Sequence, residues 1–130
     1  MAEFTVPDDL KYAKTDEWFR VSGDEAEVGI TDYAQDQLSD IVYVELPSVG
    51  DTFDAGDTFG VVESVKAAAD LNMAVTCEVT AVNDALEDSP ENVNSDPYGS
   101  WMVKVKITDA AGLDGLLDAD AYRTFIAERE

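Results

Sequence analysis

The sequence predicts a mostly β fold, a small sandwich or barrel with short helices at its periphery. Many short segments rich in β-branched and aromatic residues are separated by turns that contain Gly, Pro, Asn or Asp. Hydrophobic residues make up 45% of the chain and are spread along it, unlike the composition of disordered acidic segments. With 130 residues the chain can bury roughly two thirds of its unfolded surface, so we expect one domain over residues 1–130.

The first predicted elements are a hairpin and a short helix. Residues 17–21 and 25–30 have strand composition and flank the turn Ser22-Gly23-Asp24. Thr31 is a good N-cap for a helix over residues 31–38, which carries Asp in its first turn.

The middle of the chain predicts further strands and turns. Residues 41–46 form a β-branched and aromatic run that stops at Pro47. The run Gly50-Asp51-Thr52-Phe53 is repeated as Gly56-Asp57-Thr58-Phe59. Two copies are too few for a stacked repeat, so we interpret them as repeated turn chemistry.

The remaining elements are predicted by composition and periodicity. An irregular segment rich in Pro, Asn, Asp and Ser covers residues 88–99. Asp118 is a plausible N-cap for a closing helix over about residues 119–127, whose apolar side chains recur at helical spacing. The other expected elements are strands at 59–62, 67–75, 77–82 and 101–107 and a helical turn at 83–87.

The charge of the chain excludes several classes of partner. The formal net charge is -21, which repels nucleic acid phosphates and anionic membrane surfaces. Such an excess of carboxylates indicates an organism with concentrated internal salt, and an acidic mesophilic protein is the alternative, since net charge alone does not fix the habitat. For the first case we expect the fold to loosen at low salt, where the carboxylates repel one another. No secretory signal or membrane-spanning run is evident, so we expect a cytoplasmic protein.

The residue types also argue against an enzyme. Histidine is absent, which removes the usual general base and metal ligand, and Cys77 is the only cysteine, so neither a disulfide nor a Cys-based zinc site can form within the chain. Asp51, Asp54 and Asp57 lack the spacing of a calcium-binding loop. We therefore expect no catalytic residues and no metal site.

Lys66 is the most informative residue of the sequence. It is the one positive charge between Val21 and Val103, among eighteen Asp and Glu residues. A surface charge, a Schiff-base nucleophile and a site of covalent modification are the three roles to weigh. A Schiff-base lysine needs a desolvated pocket or a nearby cation, whereas Glu63 and Asp70 are close in sequence. Modification at a hairpin turn fits best, because a tethered group gains a high local concentration at each docked partner.

Four segments together resemble the H proteins of the glycine cleavage system, which carry lipoate, and the likeness runs from about Tyr12 to Phe125. The Glu63-Ser64-Val65-Lys66-Ala67 order is highly specific in that context. The segments are Val28-Gly29-Ile30-Thr31-Asp32-Tyr33-Ala34-Gln35, Asp40-Ile41-Val42-Tyr43-Val44-Glu45-Leu46-Pro47, Gly60-Val61-Val62-Glu63-Ser64-Val65-Lys66-Ala67 and Asn94-Ser95-Asp96-Pro97-Tyr98-Gly99.

The resemblance implies a barrel-sandwich hybrid of the lipoyl-domain type, with a lipoyl hairpin over about residues 59–75 and lipoate amide-linked to Lys66 at its tip. The attachment motif around this lysine would consist of Glu63, Ser64, Val65 and Ala67. Of these, Glu63 would serve the lipoate-attaching enzyme or simply face solvent.

The resemblance also implies the partners and the chemistry. Glycine decarboxylase loads an aminomethyl group onto the lipoyl arm, a tetrahydrofolate-dependent aminomethyltransferase takes the one-carbon unit, and dihydrolipoamide dehydrogenase reoxidises the arm. Such proteins hold the loaded arm in a surface cleft whose amine contacts match Glu17 and Asp70. On composition alone, both residues would be ordinary surface carboxylates.

The sequence departs from the family pattern in places. Asp16 and Gln37 stand where histidines are common, which bears on the cleft or on partner docking. Cys77 replaces a glycine commonly found in a turn, and Gly99-Ser100-Trp101 is one residue shorter than usual.

Two rival functions stay open at the level of sequence. A biotin carrier would share the hairpin, but its lysine typically lies between two methionines, unlike Val65 and Ala67. An H-like protein that relays lipoate to other enzymes would look much the same.

Overall fold

A computed structural model describes residues 4–129 of the chain. Residues 1–3 and 130, at the two ends of the predicted 1–130 domain, lie outside the described residues. The expected lack of a secretory signal rests in part on residues 1–3. No helix within residues 4–129 combines the length and the apolar character needed to cross a bilayer.

The described residues form nine strands, four α-helices and one 3-10 helix. The strands are β1 (Lys11–Tyr12), β2 (Glu17–Ser22), β3 (Glu25–Ile30), β4 (Ile41–Glu45), β5 (Thr52–Phe53), β6 (Thr58–Ser64), β7 (Ala68–Asn72), β8 (Thr76–Val82) and β9 (Val103–Asp109). The helices are α1 (Asp32–Leu38), α2 (Ala85–Asp88), α3 (Asn92–Ser95) and α4 (Ala119–Arg129), and the 3-10 helix covers Ala110–Gly115.

The strands form two sheets, and every strand pair is antiparallel. The larger sheet has the order β1-β2-β3-β9-β8-β5, and the smaller has the order β4-β6-β7. The smaller sheet is built around the β6–β7 hairpin, with Lys66 in the turn between the two strands. The predicted mostly β class with short helices and a C-terminal helix is confirmed.

Both sheets contribute to one apolar core. Phe19 and Val105 of the larger sheet share a buried cluster with Val44 and Val62 of the smaller one. Successive side chains of a strand point to opposite faces, so Trp18, next to Phe19, enters a second cluster instead. This second cluster packs the strands against α4 and contains Tyr12, Tyr33, Tyr122 and Ile126 among its buried members.

The helix caps follow the sequence closely. The Thr31 side chain accepts a hydrogen bond from the backbone N–H of Ala34, as expected for an N-cap. Asp118 caps α4 in the same way by accepting from Ala121 N at 2.8 Å. The hydroxyl of Tyr122 in α4 lies 2.7 Å from the Thr31 hydroxyl, so a side-chain hydrogen bond joins α4 to the N-cap of α1.

The Gly-Asp pairs at the start of the two Gly-Asp-Thr-Phe runs lie in the same kind of turn. Gly50 and Gly56 both have φ of 95°, in the region that favours glycine. The Asp51 and Asp57 carboxylates accept hydrogen bonds from Ser48 N and Asp54 N at 2.9 and 2.8 Å. These carboxylates therefore stabilise turns, which explains the repeat without a metal.

Three expectations were wrong in detail. The segment 88–99 is not wholly irregular, because α3 lies within it around the buried side chain of Val93. The strand after Lys66 ends at Asn72, not at Val75. Beyond Asn72, hydrogen bonds from Met73 N and Gly56 N attach the chain to the turn before β6 and no longer to a strand. Thr52 and Phe53, assigned to a turn, form β5 by pairing with Glu78 and Cys77.

Cys77 lies within a strand, next to an irregularity in the β8–β9 register at Thr76. It pairs with Phe53 on one side and Ile107 on the other, and its thiol is buried in the core. Burial raises the pKa of the thiol to about 11, so Cys77 is a small apolar core residue in β8.

Gly60 allows the hairpin to pack closely against β4. A Cβ atom at this position would overlap the backbone carbonyl oxygen of Glu45 and come within 3.2 Å of the Leu71 side chain. The neighbouring β6–β7 register is irregular between Thr58 and Gly60, which accommodates this approach.

Gly60→Ala is therefore expected to destabilise the protein by about 2 kcal/mol, within the range for overpacking of a tight site. Gly115→Ala is the matched control, because a Cβ there would meet nothing within 4 Å. Chemical denaturation of the two variants checks this, and equal stabilities would show that β4 and β6 separate without cost.

Candidate functional site

Ser64 organises the turn that presents Lys66. Its hydroxyl oxygen accepts hydrogen bonds from Lys66 N at 3.1 Å and Ala67 N at 3.0 Å. The same hydroxyl donates to Ala67 O at 3.0 Å, and Ser64 N donates to that carbonyl at 2.8 Å. These local bonds satisfy three of the four backbone N–H groups of the tip, those of Ser64, Lys66 and Ala67, and fix its shape.

The turn is also anchored to its surroundings. Val65 N donates to Asp40 O at 3.0 Å, which attaches the tip to the start of β4. Lys66 is exposed, and its Nζ donates to Gln37 O at 3.3 Å. The free carbonyls at the C-terminal end of a helix attract cations, so α1 draws the amine toward itself.

A cleft of about 150 Å³ opens between α1, β7 and the start of β2. One part of its wall is apolar and another part carries carboxylates. The lining residues are Thr15, Asp16, Glu17, Ile30, Ala34, Gln37, Leu38, Val62, Ala69, Asp70, Leu71 and Arg129. Since Gln37 both lines the cleft and contacts the Lys66 amine, the lysine lies at the mouth of the cleft.

Glu17 is a buried acid inside this cleft. Its side chain accepts hydrogen bonds from the Thr15 hydroxyl and from Asn72 N, the latter at 3.0 Å. Only 1% of the residue is exposed. Burial outweighs the two hydrogen bonds and raises the pKa of Glu17 from 4.5 to about 7.

Asp70 is the second carboxylate of the cleft. It lies on β7 opposite Val61 and, unlike Glu17, is exposed. Within the described residues neither Glu17 nor Asp70 forms a salt bridge. The cleft thus contains two carboxylates without a cationic partner, which suits a ligand that brings a positive charge.

Asp16 and Arg129 close one side of the cleft. Asp16 has φ of 78°, a conformation that Asp, Asn and His adopt more readily than most residues. Its carboxylate accepts from Arg129 Nη1 and Nη2 at 2.7 and 3.0 Å and from the Tyr122 hydroxyl at 2.9 Å. Asp16 therefore fits the turn and ties the end of α4 to the cleft.

The structure separates the predicted site residues into two groups. Lys66, Ser64 and Ala67 form the tip, and Glu17 and Asp70 share the cleft beside it. Glu63 lies outside the cleft, exposed and opposite Tyr43 in the β4–β6 pair.

Sequence reasoning missed Arg129 and Thr15, two polar residues of the cleft. Arg129 lies at the end of α4, 113 positions from Asp16, so sequence spacing could not bring them together. Thr15 could have been suspected only from its closeness to Glu17 in the chain.

A larger cavity of about 270 Å³ lies elsewhere, on the larger sheet. Its charged residues already pair with each other: Arg20 Nη1 is 2.7 Å and Lys104 Nζ is 3.5 Å from the Glu27 carboxylate. It is also formed by strands that do not belong to the hairpin sheet, so the smaller cleft beside Lys66 is the better candidate site.

The fold and the hairpin define a lipoyl-domain-like carrier protein. A crystal structure of a glycine cleavage system H protein from Mycobacterium marinum superposes with a TM-score of 0.84, covering 95% of this chain and 98% of that one at 34% identity. The family model described as glycine cleavage H-protein matches residues 10–129.

Curated relatives agree with this match. A probable glycine cleavage system H protein from Haloarcula marismortui is 55% identical, over 92% of this chain and 95% of that protein. A glycine cleavage system H protein from Bacteroides thetaiotaomicron is 52% identical, over 92% of this chain and 96% of that protein. The chain belongs to the glycine cleavage H-protein family, whose members are non-catalytic carriers in a multienzyme system.

The raised pKa of Glu17 predicts a specific pH dependence of stability. A carboxyl whose folded pKa lies above its unfolded value favours the folded state below pH 4.5, and this contribution is lost as the pH rises through about 7. Glu17→Gln removes the ionisation and keeps a side-chain oxygen for Asn72 N. Its stability relative to wild type should rise by about 3 kcal/mol between about pH 4.5 and pH 8.

Denaturant unfolding of both proteins across this pH range, in concentrated KCl, measures the difference. Glu63→Gln is the matched control and should show no such trend, because its side chain is exposed. A constant difference between Glu17→Gln and wild type would mean that Glu17 is already ionised in the folded protein.

Proposed function

We propose that Lys66 is the lipoyl attachment residue of this glycine cleavage carrier. The observation that carries the proposal is one exposed amine on a turn that Ser64 holds in shape. This amine lies at the mouth of a cleft that has an apolar wall and two carboxylates. A fixed turn delivers the amine to an attaching enzyme, and the long tether that results can then visit several partners.

The residues of the cleft fit a lipoyl arm. The cleft has an apolar wall suited to a hydrocarbon chain and a dithiolane ring, formed by Ile30, Leu38, Val62 and Leu71. The lipoyl group, when attached, supplies the two sulfurs that accept and release a one-carbon unit and electrons. The carrier itself supplies the handle, the apolar wall and the carboxylates.

Glu17 and Asp70 would hold the cargo through its charge. An aminomethyl unit ends in a primary ammonium, which forms charge-assisted hydrogen bonds with carboxylates. An ammonium next to Glu17 favours the ionised carboxylate and thus opposes the effect of burial on its pKa. Arg129 already neutralises Asp16 at 2.7 Å, so the two free carboxylates remain for the cargo.

Three catalytic partners and an attaching enzyme follow from the carrier role. We infer that glycine decarboxylase loads the arm, that the tetrahydrofolate-dependent aminomethyltransferase unloads it, and that dihydrolipoamide dehydrogenase reoxidises it. A lipoate-attaching enzyme must act before any of these, because the unmodified lysine carries no sulfur.

We also infer a host with concentrated internal salt. The support is the net charge of -21 together with 55% identity to a protein of Haloarcula marismortui. At molar salt the Debye length falls to about 3 Å, so the repulsion among the carboxylates is largely screened.

Lys66→Arg tests the attachment site. Arginine keeps the positive charge but cannot form the amide, so the variant should gain no lipoyl mass. Glycine-dependent release of carbon dioxide in the reconstituted system should then fall to the level seen without carrier. Lys106→Arg, another exposed lysine change, should leave both measurements at the wild-type value.

Full turnover by Lys66→Arg would overturn the attachment site. A lipoylated wild-type protein that supports no glycine-dependent turnover would instead favour the lipoate-relay role. Biotin in place of lipoate would be evident from the intact mass of the protein purified from its native host.

A further inference from the structure

An exposed apolar patch lies beside the Lys66 turn. Within residues 4–129 four large apolar side chains are strongly exposed: Val42 at 53%, Tyr43 at 47%, Val49 at 65% and Val65 at 70%. Val42, Tyr43 and Val65, which we call the tip patch, all belong to the segments that meet at the hairpin tip. Val49 lies apart from them, in the turn after β4.

Backbone pairing brings the tip patch together. Val65 N is bonded to Asp40 O at 3.0 Å, and Ile41 pairs with Ser64, so the tip runs alongside the start of β4. The register then shifts between Ile41 and Tyr43, which inserts one extra residue into β4.

This bulge explains why two neighbouring apolar residues face solvent. A regular strand would turn Val42 and Tyr43 to opposite faces, so that one of them would point inward. The bulge breaks the alternation, and the burial of β4 runs buried, exposed, exposed, buried, exposed, with Ile41 and Val44 inside. An irregularity that exposes apolar side chains costs stability, which indicates a binding role.

The rim of the tip patch is acidic. Asp40, Glu45 and Glu63 are all exposed, and Glu63 is directly opposite Tyr43 across the strand pair. Lys66 is the one cation in this stretch of the chain. The complementary partner surface is therefore an apolar spot bordered by Lys or Arg side chains.

One partner must rely on this surface more than the others. The three catalytic components of the system can hold the carrier partly through the arm and its cargo. The attaching enzyme meets a bare lysine and has to recognise the folded protein around it. It must also cover the tip, because its reactive acyl group has to reach Nζ.

We propose that the tip patch of Val42, Tyr43 and Val65, with its acidic rim, is the docking surface for the lipoate-attaching enzyme. The inference rests on the proposed attachment at Lys66. Two of the tip patch's three members, Val42 and Tyr43, lie on β4 and so outside both the attachment motif and the arm cleft.

The reaction at this surface is an acyl transfer. The neutral Nζ of Lys66 attacks the carbonyl carbon of a lipoyl adenylate, formed from lipoate and ATP with release of pyrophosphate. The amide C–N bond forms and the bond from the carbonyl carbon to the AMP oxygen breaks. AMP leaves with the electron pair, and the nitrogen releases one proton to water. The tip patch takes no part in these steps and only positions the enzyme.

The test compares initial rates of attachment. Unlipoylated protein is incubated with purified lipoate-attaching enzyme, lipoate and ATP, and modification is followed by intact mass. The double variant Val42→Thr, Tyr43→Thr should lower kcat/KM about tenfold or more, chiefly through a higher KM. Val65→Thr should act in the same direction. Threonine has good strand propensity, and at the two valine positions it also keeps β-branching.

Val49→Thr is the matched control, because it makes the same change at an equally exposed valine away from the tip. Its kcat/KM should equal that of wild type. Thermal unfolding of every variant confirms that the folded fraction is unchanged, as expected for substitutions of exposed side chains.

The outcomes separate the two proposals. If wild-type protein accepts no lipoate at Lys66, the proposed function fails and this surface fails with it. If wild type is modified and the tip-patch variants react at the same rate, the docking surface alone is overturned. The docking surface is also overturned if the variants are modified normally but lose turnover with glycine decarboxylase, which would assign the patch to that enzyme.

Discussion

The hydrogen bonds of the Ser64 hydroxyl are the constraint on which the presentation of Lys66 depends. One oxygen accepts from two backbone N–H groups and donates to a carbonyl, so most of the hydrogen bonding of the four-residue tip is local. A turn whose backbone N–H groups are paired can project into solvent without a cost for unpaired polar groups. The side chain of Lys66 is then free to serve as a handle, while the bond from Val65 to Asp40 keeps the tip from swinging away from β4.

The cleft beside this handle combines two electrostatic arrangements. Glu17 is held in a nearly dry position at which a negative charge is unfavourable, and Asp70 remains in solvent. Arg129 balances Asp16 and leaves both of the others unpaired. A cationic cargo would complete the charge balance, whereas an uncharged arm would not. Under the proposed function, the cleft would therefore favour a loaded arm over an empty one without any catalytic group.

Local patterns predicted much of the fold and of the hairpin. The hairpin of β2 and β3, the Thr31 cap and the Asp118 cap depend on neighbouring residues, and the sequence shows them directly. The short strand β5 and helix α3 escaped because two to four residues carry too little periodicity to be recognised. Their existence depends on partners far along the chain, such as Cys77 for Phe53.

The same limit applies to the site. Lys66 stood out because the surrounding sequence lacks other cations, but the burial of Glu17 and the pairing of Asp16 with Arg129 arise from tertiary packing. The bulge at Val42 is likewise a matter of register, and a run of four apolar residues does not reveal which of them face solvent. The residue types indicated the chemistry of the site, whereas the solvent exposure of each side chain could be known only from the folded structure.

Under the proposed function one amine, held outward by its turn, carries the lipoyl group. Peptide mapping by mass spectrometry of the protein from its native host tests this most directly, because the chain offers five lysines: Lys11, Lys14, Lys66, Lys104 and Lys106. Lipoyl mass is expected on the peptide that contains Lys66 and on none of the other four lysines. Lipoyl mass on another lysine, with Lys66 unmodified, would overturn the assignment of the carrier lysine.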